Sequence, residues 1–397
     1  MYHSSKNKKM TVLKSKKCDG IFGLLSKEES DPTTMIKRDV YSITPNQPLI
    51  QNEFGYYCKE AWAEQGLPEN TNFTEEFNFT KMKSVSLGGL GWCEAAFIPE
   101  FKTEVIEDRG EHELVQDFAG RHVLYFKGRR SGFMPEYLDH PVKDNESWKE
   151  KCVWRLDPNS PERHNGLKEK MVEKQRVARQ GGMVTQGLAG AIMYLRSLMG
   201  PEGWLFMFYD NPKLVHSCMK TWLNLADSVI AEHQKYLTID EIFFAEDGCY
   251  KTGSLISREI MEEFIFPYYQ QLISNLKSRQ LDPTRHLYVQ IDTDGYATPV
   301  IPWYREAIGM DVMSPFEVAA GCNVVEIAEQ FPWLVISGGV DKRILASTKD
   351  DIDRMVDSIM PVMKKRGGYI PTCDHGVPAE VSLENYRHFR KRMLEFA

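Results

Sequence analysis

The sequence predicts an α/β chain built as a (β/α)8 TIM barrel with an N-terminal extension and a β-rich excursion, and three observations lead there. Five short apolar segments, EIFFAED (241–247), HLYVQIDTD (286–294), DVMSPFE (311–317), WLVISGGVD (333–341) and GYIPTCDH (368–375), alternate with helical stretches. That alternation is the pattern of a parallel sheet with covering helices. Their apolar runs fit strands buried on both faces. Each also closes on ionisable residues: Glu246 and Asp247, Asp292 and Asp294, Glu317, Asp341, and Asp374 with His375. The C-terminal strand ends of such a barrel open on one face, where catalytic groups sit.

The elements follow in order. Residues 1–45 are polar and lysine-rich with little periodicity, which predicts an irregular arm without chemistry. Residues 46–397 are expected to form one barrel domain. Within it, from about 80 to 145, short apolar runs broken by Gly and Pro predict a β-rich insertion. KEKMVEKQRVARQ reads as a charged helix, VTQGLAGAIMYLRSLMG as a strand running into a helix, and PKLVHSCMKTWLNLADSVIAEHQKYL as an amphipathic helix. SREIMEEFIFPYYQQLISNLKS, VVEIAEQF and TKDDIDRMVDSIMPVMKKR supply helices between the later strands.

With 397 residues, 42% of them hydrophobic, the chain can bury a large core. A net charge of -7 argues against nucleic acid or an anionic membrane as partner, which leaves small molecules or another protein. The eight cysteines are scattered without a C-x-x-C, as expected for free thiols in a reducing compartment. The basic start is followed by no apolar signal region, and no window reaches the roughly 18 apolar residues of a membrane span. A cytoplasmic, soluble protein is expected.

Among the strand ends, DTDG (292–295) stands apart. Carboxylates at i and i+2 of an extended chain point the same way, and side by side they call for a cation, a proton or an arginine. Its glycine also suits a plain turn. A single Asp after a strand is more often an N-cap, so Asp341 and Glu317 could each be a cap or a partner for Lys342 and Arg343. His375 reads as a hydrogen-bonded histidine under the last loop or, with Cys373 two residues earlier, as a zinc ligand, although no regular zinc signature is present. The glycine-rich SLGGLGW lacks the features of a phosphate loop; its Trp92 is a candidate pocket wall, as are Phe133 and Tyr137. No G-x-S-x-G elbow occurs.

Taken together, VTQGLAGAIMYLRSLMG, AEDGCYKTGSLIS, VQIDTDG, SPFEVAAGCNVVEIAEQF, ISGGVDKRILA and GGYIPTCDHGVPAEVSLENYRHF resemble the uroporphyrinogen decarboxylase superfamily, most closely its corrinoid-linked methyltransferase branch of the O-demethylase type. The decarboxylase's P-x-W-x-M-R-Q-A-G-R stretch has no counterpart. The methyltransferase branch binds zinc through H-x-C and a later Cys; Asp292 and Asp294 fall near the first pair, and His375 or Cys373 near the last. The resemblance thus implies a metal, Zn, or a shared proton held by Asp292, Asp294, His375 and Cys373. It further implies Glu246, Asp247 and Asp294 as acid and orienting groups, with Trp92, Glu317 and Asp341 at the substrate. No D-x-H-x-x-G motif is present, so cobalamin would arrive on a separate corrinoid protein. The donor would be a small methylated substrate, a methyl ether such as a methoxylated aromatic, and a homodimer is compatible with the fold. The alternative is a cofactor-independent decarboxylase, which needs arginines at the barrel mouth, with Arg129, Arg130 and Arg155 as candidates. A noncatalytic barrel is disfavoured by the convergence of titratable groups.

Overall fold

The computed structural model describes residues 32–130 and 135–397. Its strands are β1 (Ser84–Leu87), β2 (Glu104–Arg109), β3 (His112–Gln116), β4 (His122–Phe126), β5 (Glu136–Asp139), β6 (Met183–Ala189) and β7 (Glu241–Ala245). After these come β8 (Cys249–Tyr250), β9 (Gly253–Ser254), β10 (Tyr288–Thr293), β11 (Val312–Pro315), β12 (Val335–Ser337) and β13 (Tyr369–Ile370).

Seven of them form one parallel sheet in the order β1-β6-β7-β10-β11-β12-β13, so each strand lies beside the next one of that sheet in sequence. This is the curled, TIM-barrel-like arrangement, with a correction to the strand count: among the described residues the sheet has seven strands, not eight. Residues 49–57 bridge its two edges without a regular ladder. On one side Thr80 N donates to Gln51 O at 2.8 Å; on the other, Val377 N donates to Gly55 O and Tyr57 N to Val377 O, both at 2.8 Å. Asn52 and Gly55 in this stretch are poor strand formers.

Outward-facing strand residues make the main core. Ile242, Phe244, Ile291, Met313 and Ile336 are fully buried, and Phe244 stacks on Tyr269 of the helix Phe266–Arg279 at 4.4 Å. Burying each such side chain contributes about 1.5–3 kcal/mol.

The predicted arm departs from expectation. Residues 1–31 lie outside the described residues, but Pro32–Tyr41 is a helix, not irregular chain. Its Val40 and Tyr41 are buried against Met183, Val312 and Val335, the first residues of β6, β11 and β12. The helix therefore corks the N-terminal end of the sheet. Buried Glu241, the first residue of β7, is satisfied there by the Tyr41 hydroxyl and by Thr185 Oγ1 at 2.9 Å.

The β-rich excursion is the antiparallel sheet β2-β3-β4-β5. It starts later than predicted, since β1 belongs to the main sheet. Arg121 anchors it, pairing with Asp117 at 2.7 Å and with Glu94 at 3.0 Å, and lying 4.7 Å from the Tyr137 ring. Glu94 stands two residues from Trp92, so this excursion holds the loop that carries a predicted pocket wall. Phe133 lies outside the described residues. No helix among the described residues is long and apolar enough to cross a membrane.

Candidate active site

The site grows from the alternation of β10. Gln290 and Asp292 share one face of the strand while Val289 and Ile291 pack under the helices. On the neighbouring β7, Phe243 lies opposite Gln290 and therefore on the same face. Trp92 stacks flat on Phe243, with ring centroids 5.1 Å apart and planes 10° apart, and remains half-exposed. The inner face thus has an aromatic wall and, higher up, a carboxylate floor. Gln290 Nε2 donates to Ser314 Oγ at 3.0 Å, and Ser314 Oγ donates to Asp292 Oδ2. Burial pushes Asp292 up to about 6, helped by the charge of Asp247.

Asp294 stands just past the strand end. Burial, then the charges of Asp247, Glu317 and Asp292, push its carboxyl up to about 7, with Lys342 opposing. Gly295 is indeed a turn residue: its φ is +81°, and a Cβ there would lie 2.8 Å from the backbone of Cys249. Its N–H donates to Glu317 Oε2 at 3.0 Å, which pins the turn to the end of β11.

His375 Nε2 lies 3.8 Å from Asp294 Oδ2. Its ring sits against Phe54 (5.4 Å) and Tyr57 (5.7 Å, planes 25° apart). Burial and the nearby Lys342 lower its pKa, favouring neutral imidazole. Lys342 Nζ lies 3.5 Å from Glu317 and 3.6 Å from Asp374. Asp247, held at φ +47°, pairs with Arg196; burial raises its pKa and Arg196 opposes the rise.

The structure brings Asp247, Asp292, Asp294, Glu317 and His375 to one face, with Trp92 beside them. The others it does not. Glu246 is fully buried on the opposite side of the chain, where it accepts from Tyr269 Oη (2.7 Å), Tyr304 Oη (3.1 Å) and Ile192 N (3.3 Å). It ties β7 to three helices and has no opening to a substrate, which corrects its expected acid role. Asp341 is the N-cap of the helix Lys342–Leu345 and pairs with Arg343 at 2.8 Å, so the capping alternative describes it and the substrate-binding role does not. Asp341→Ala should cost about 1 kcal/mol in urea unfolding through the lost cap. Turnover should be unchanged.

The expected zinc set is likewise not assembled. Cys373 is buried with its thiol against Glu53. Among the described residues, no three His, Cys, Asp or Glu side chains gather closely enough to hold a metal ion.

Arg196, Lys342, Phe54 and Tyr57 complete the site without having been singled out as its members. Arg196 had a signal: it is the one charged residue in the helix Ala191–Met199, AIMYLRSLM. Burial pushes Cys93, near Asp247 and Asp292, up to about 12, so it stands by as a thiol.

Fold and site define the class: a TIM-barrel-like α/β chain with an acidic, histidine-bearing site at the C-terminal ends of its strands. The chain belongs to the uroporphyrinogen decarboxylase (URO-D) family, whose model matches residues 138–396. A uroporphyrinogen decarboxylase of Hydrogenobaculum sp. (strain Y04AAS1) is 20% identical over 192 residues, 46% of this chain and 48% of that protein. The chain therefore spans about half the length of the curated relative it matches. A methyltransferase from Methanosarcina mazei superposes with a TM-score of 0.56 at 12% identity, covering 92% of this chain and 98% of that one. At that identity the likeness is one of fold.

Proposed function

We propose that this chain is a methyltransferase that removes the methyl group of a small methylated donor, a methyl ether such as a methoxylated aromatic, and passes it to cob(I)alamin on a separate corrinoid protein. The corrinoid supplies the nucleophile for the methyl carbon. The chain's part is the other half of the reaction. As the carbon–oxygen bond breaks, the oxygen needs a proton, because an alkoxide or phenolate is a poor leaving group.

The observation that carries the reading is Asp294: a carboxyl pushed up to about 7, able to hold a proton at neutral pH and open to the site. It gives that proton to the leaving oxygen, which departs as an alcohol or phenol. Neutral His375 returns a proton from solvent to the carboxylate. Trp92 and Phe243 offer the flat face on which an aromatic donor would stack.

The decarboxylase alternative has the family's name behind it and the electrostatics against it. A substrate with several carboxylates would face Asp292, Asp294 and Glu317. Arg130 is paired with Glu113, Arg155 donates to the carbonyls of Lys151, Pro99 and Glu100, and Arg196 is engaged by Asp247.

Mixing the protein with a reduced corrinoid protein and a panel of methyl donors, and following the cobalt absorption, tests the proposal. A methoxylated aromatic should give the methylated spectrum. Failure of every donor with every corrinoid partner, alongside carbon dioxide release from a carboxylated substrate, would favour decarboxylation.

A further inference from the structure

The geometry points to Glu53 as the residue that positions His375 for its partnership with Asp294, an inference that rests on the methyl-transfer reading of the site. Glu53 is not part of the mouth and touches none of its carboxylates. Its Oε1 accepts from the backbone N–H of Cys373 at 2.8 Å and from that of Phe54 at 2.9 Å, and its Oε2 accepts from Tyr386 Oη at 2.8 Å. One carboxylate therefore ties together two chain segments remote in sequence, 53–57 and 373–377, and fastens both to the helix Leu383–Met393.

The consequence falls on the imidazole. Phe54 follows Glu53 directly, Tyr57 is four residues on, and His375 is two residues from Cys373. The latch is continued by the bonds between Tyr57 and Val377 and between Val377 and Gly55. At Gly376 a Cβ would lie 2.6 Å from the Tyr57 ring, so the two segments are packed as closely as a glycine permits. His375 is left between two aromatic rings with Nε2 toward Asp294. Around Glu53 stand Tyr386, Tyr56, Cys373 and the cation Arg390; around His375 stand Asp294, Asp247, Glu317, Asp374 and Lys342. Phe54 is common to both surroundings, with its backbone N–H on Glu53 and its ring against His375. Glu53 acts on His375 through the backbone, as a positioning residue.

The test reads the imidazole itself. In full-length protein labelled with 13C-histidine, the His375 ring signals, assigned by their loss in His375→Gln, should carry the ring-current shift of Phe54 and Tyr57. In Glu53→Ala those signals should move toward unshifted positions while those of buried His233 stay in place, the latter reporting an intact fold. Methyl transfer should fall on the order of 100-fold in kcat, the scale of a misplaced catalytic group, with KM for the donor little changed. Glu53→Gln keeps an acceptor oxygen for the two amides and should restore both. Should Glu53→Ala fail to fold, Tyr386→Phe, which removes the Oε2 donor together with the 3.4 Å contact to Tyr56 Oη, should move the His375 signals in the same direction. Unmoved His375 signals in the folded variant would overturn the inference. Because the spectrum does not depend on turnover, it decides this point even if no donor is ever demethylated, so the two proposals fail separately.

Discussion

Asp294→Asn should lower methyl transfer on the order of 10²- to 10⁴-fold, the usual contribution of a positioned proton donor, and should change the shape of the pH profile. In the wild type the active form carries the proton on Asp294, so the rate should fall as pH rises through about 7. The asparagine variant has no proton to lose there, and its residual rate should be flat across that range. Stability should move the other way. The folded-state pKa is raised from the ordinary 3.8 to about 7, so between those values the folded chain binds the proton that the unfolded chain has released. The contribution is present at low pH and fades as pH climbs through that window. Asp294→Asn should therefore unfold at a higher temperature than wild type at pH 8, and the advantage should vanish near pH 4. A rate independent of Asp294, or a wild-type rate that rises with pH through 7, would remove this residue from the acid's role.

The largest effect on stability is expected at Glu246. Glu246→Ala leaves the buried O–H donors of Tyr269 and Tyr304 without their acceptor, Tyr269 Oη keeping only the bond it accepts from Ala191 N, and opens a hole where β7 meets the helices. Each orphaned buried donor costs about 1–3 kcal/mol, so a loss of about 2–6 kcal/mol is expected for the two. It would appear as a lower urea midpoint at unchanged slope. Glu246→Gln retains one acceptor and should cost less. A variant as stable as the wild type would mean that these hydroxyls find other partners.

These two residues also show how far the sequence could be read. Glu246 and Asp247 end the same strand, and neighbours on an extended chain face opposite ways. The sequence places both at the strand end but does not say which turns inward. That depends on Tyr269 and Tyr304, which come from two helices further along the chain. Asp292 and Asp294 could be placed, because spacing by two keeps them on one face. The same rule does not carry over to Cys373 and His375, since the chain bends from Asp374 to Gly376, with the thiol against Glu53 and the imidazole against Phe54 and Tyr57.

Five strands of the regular half were legible because each carries a short apolar run and alternates with helices of ordinary length. The segment 49–57 and the helix Pro32–Tyr41 were not. The first hydrogen-bonds to Thr80 and Val377, just outside edge strands β1 and β13, and the second packs Val40 and Tyr41 on residues scattered along the chain from Ile50 to Ile370. Neither arrangement leaves a local periodic signature.

The central claim is that the chain moves a methyl group while protonating the oxygen it leaves. A single turnover with a donor carrying a 13C-labelled O-methyl group, in the presence of reduced corrinoid protein, tests it most directly. The label should appear on the corrinoid protein with an equal amount of the demethylated alcohol or phenol. Labelled methyl retained on the donor, or carbon dioxide released with the corrinoid unchanged, would contradict it.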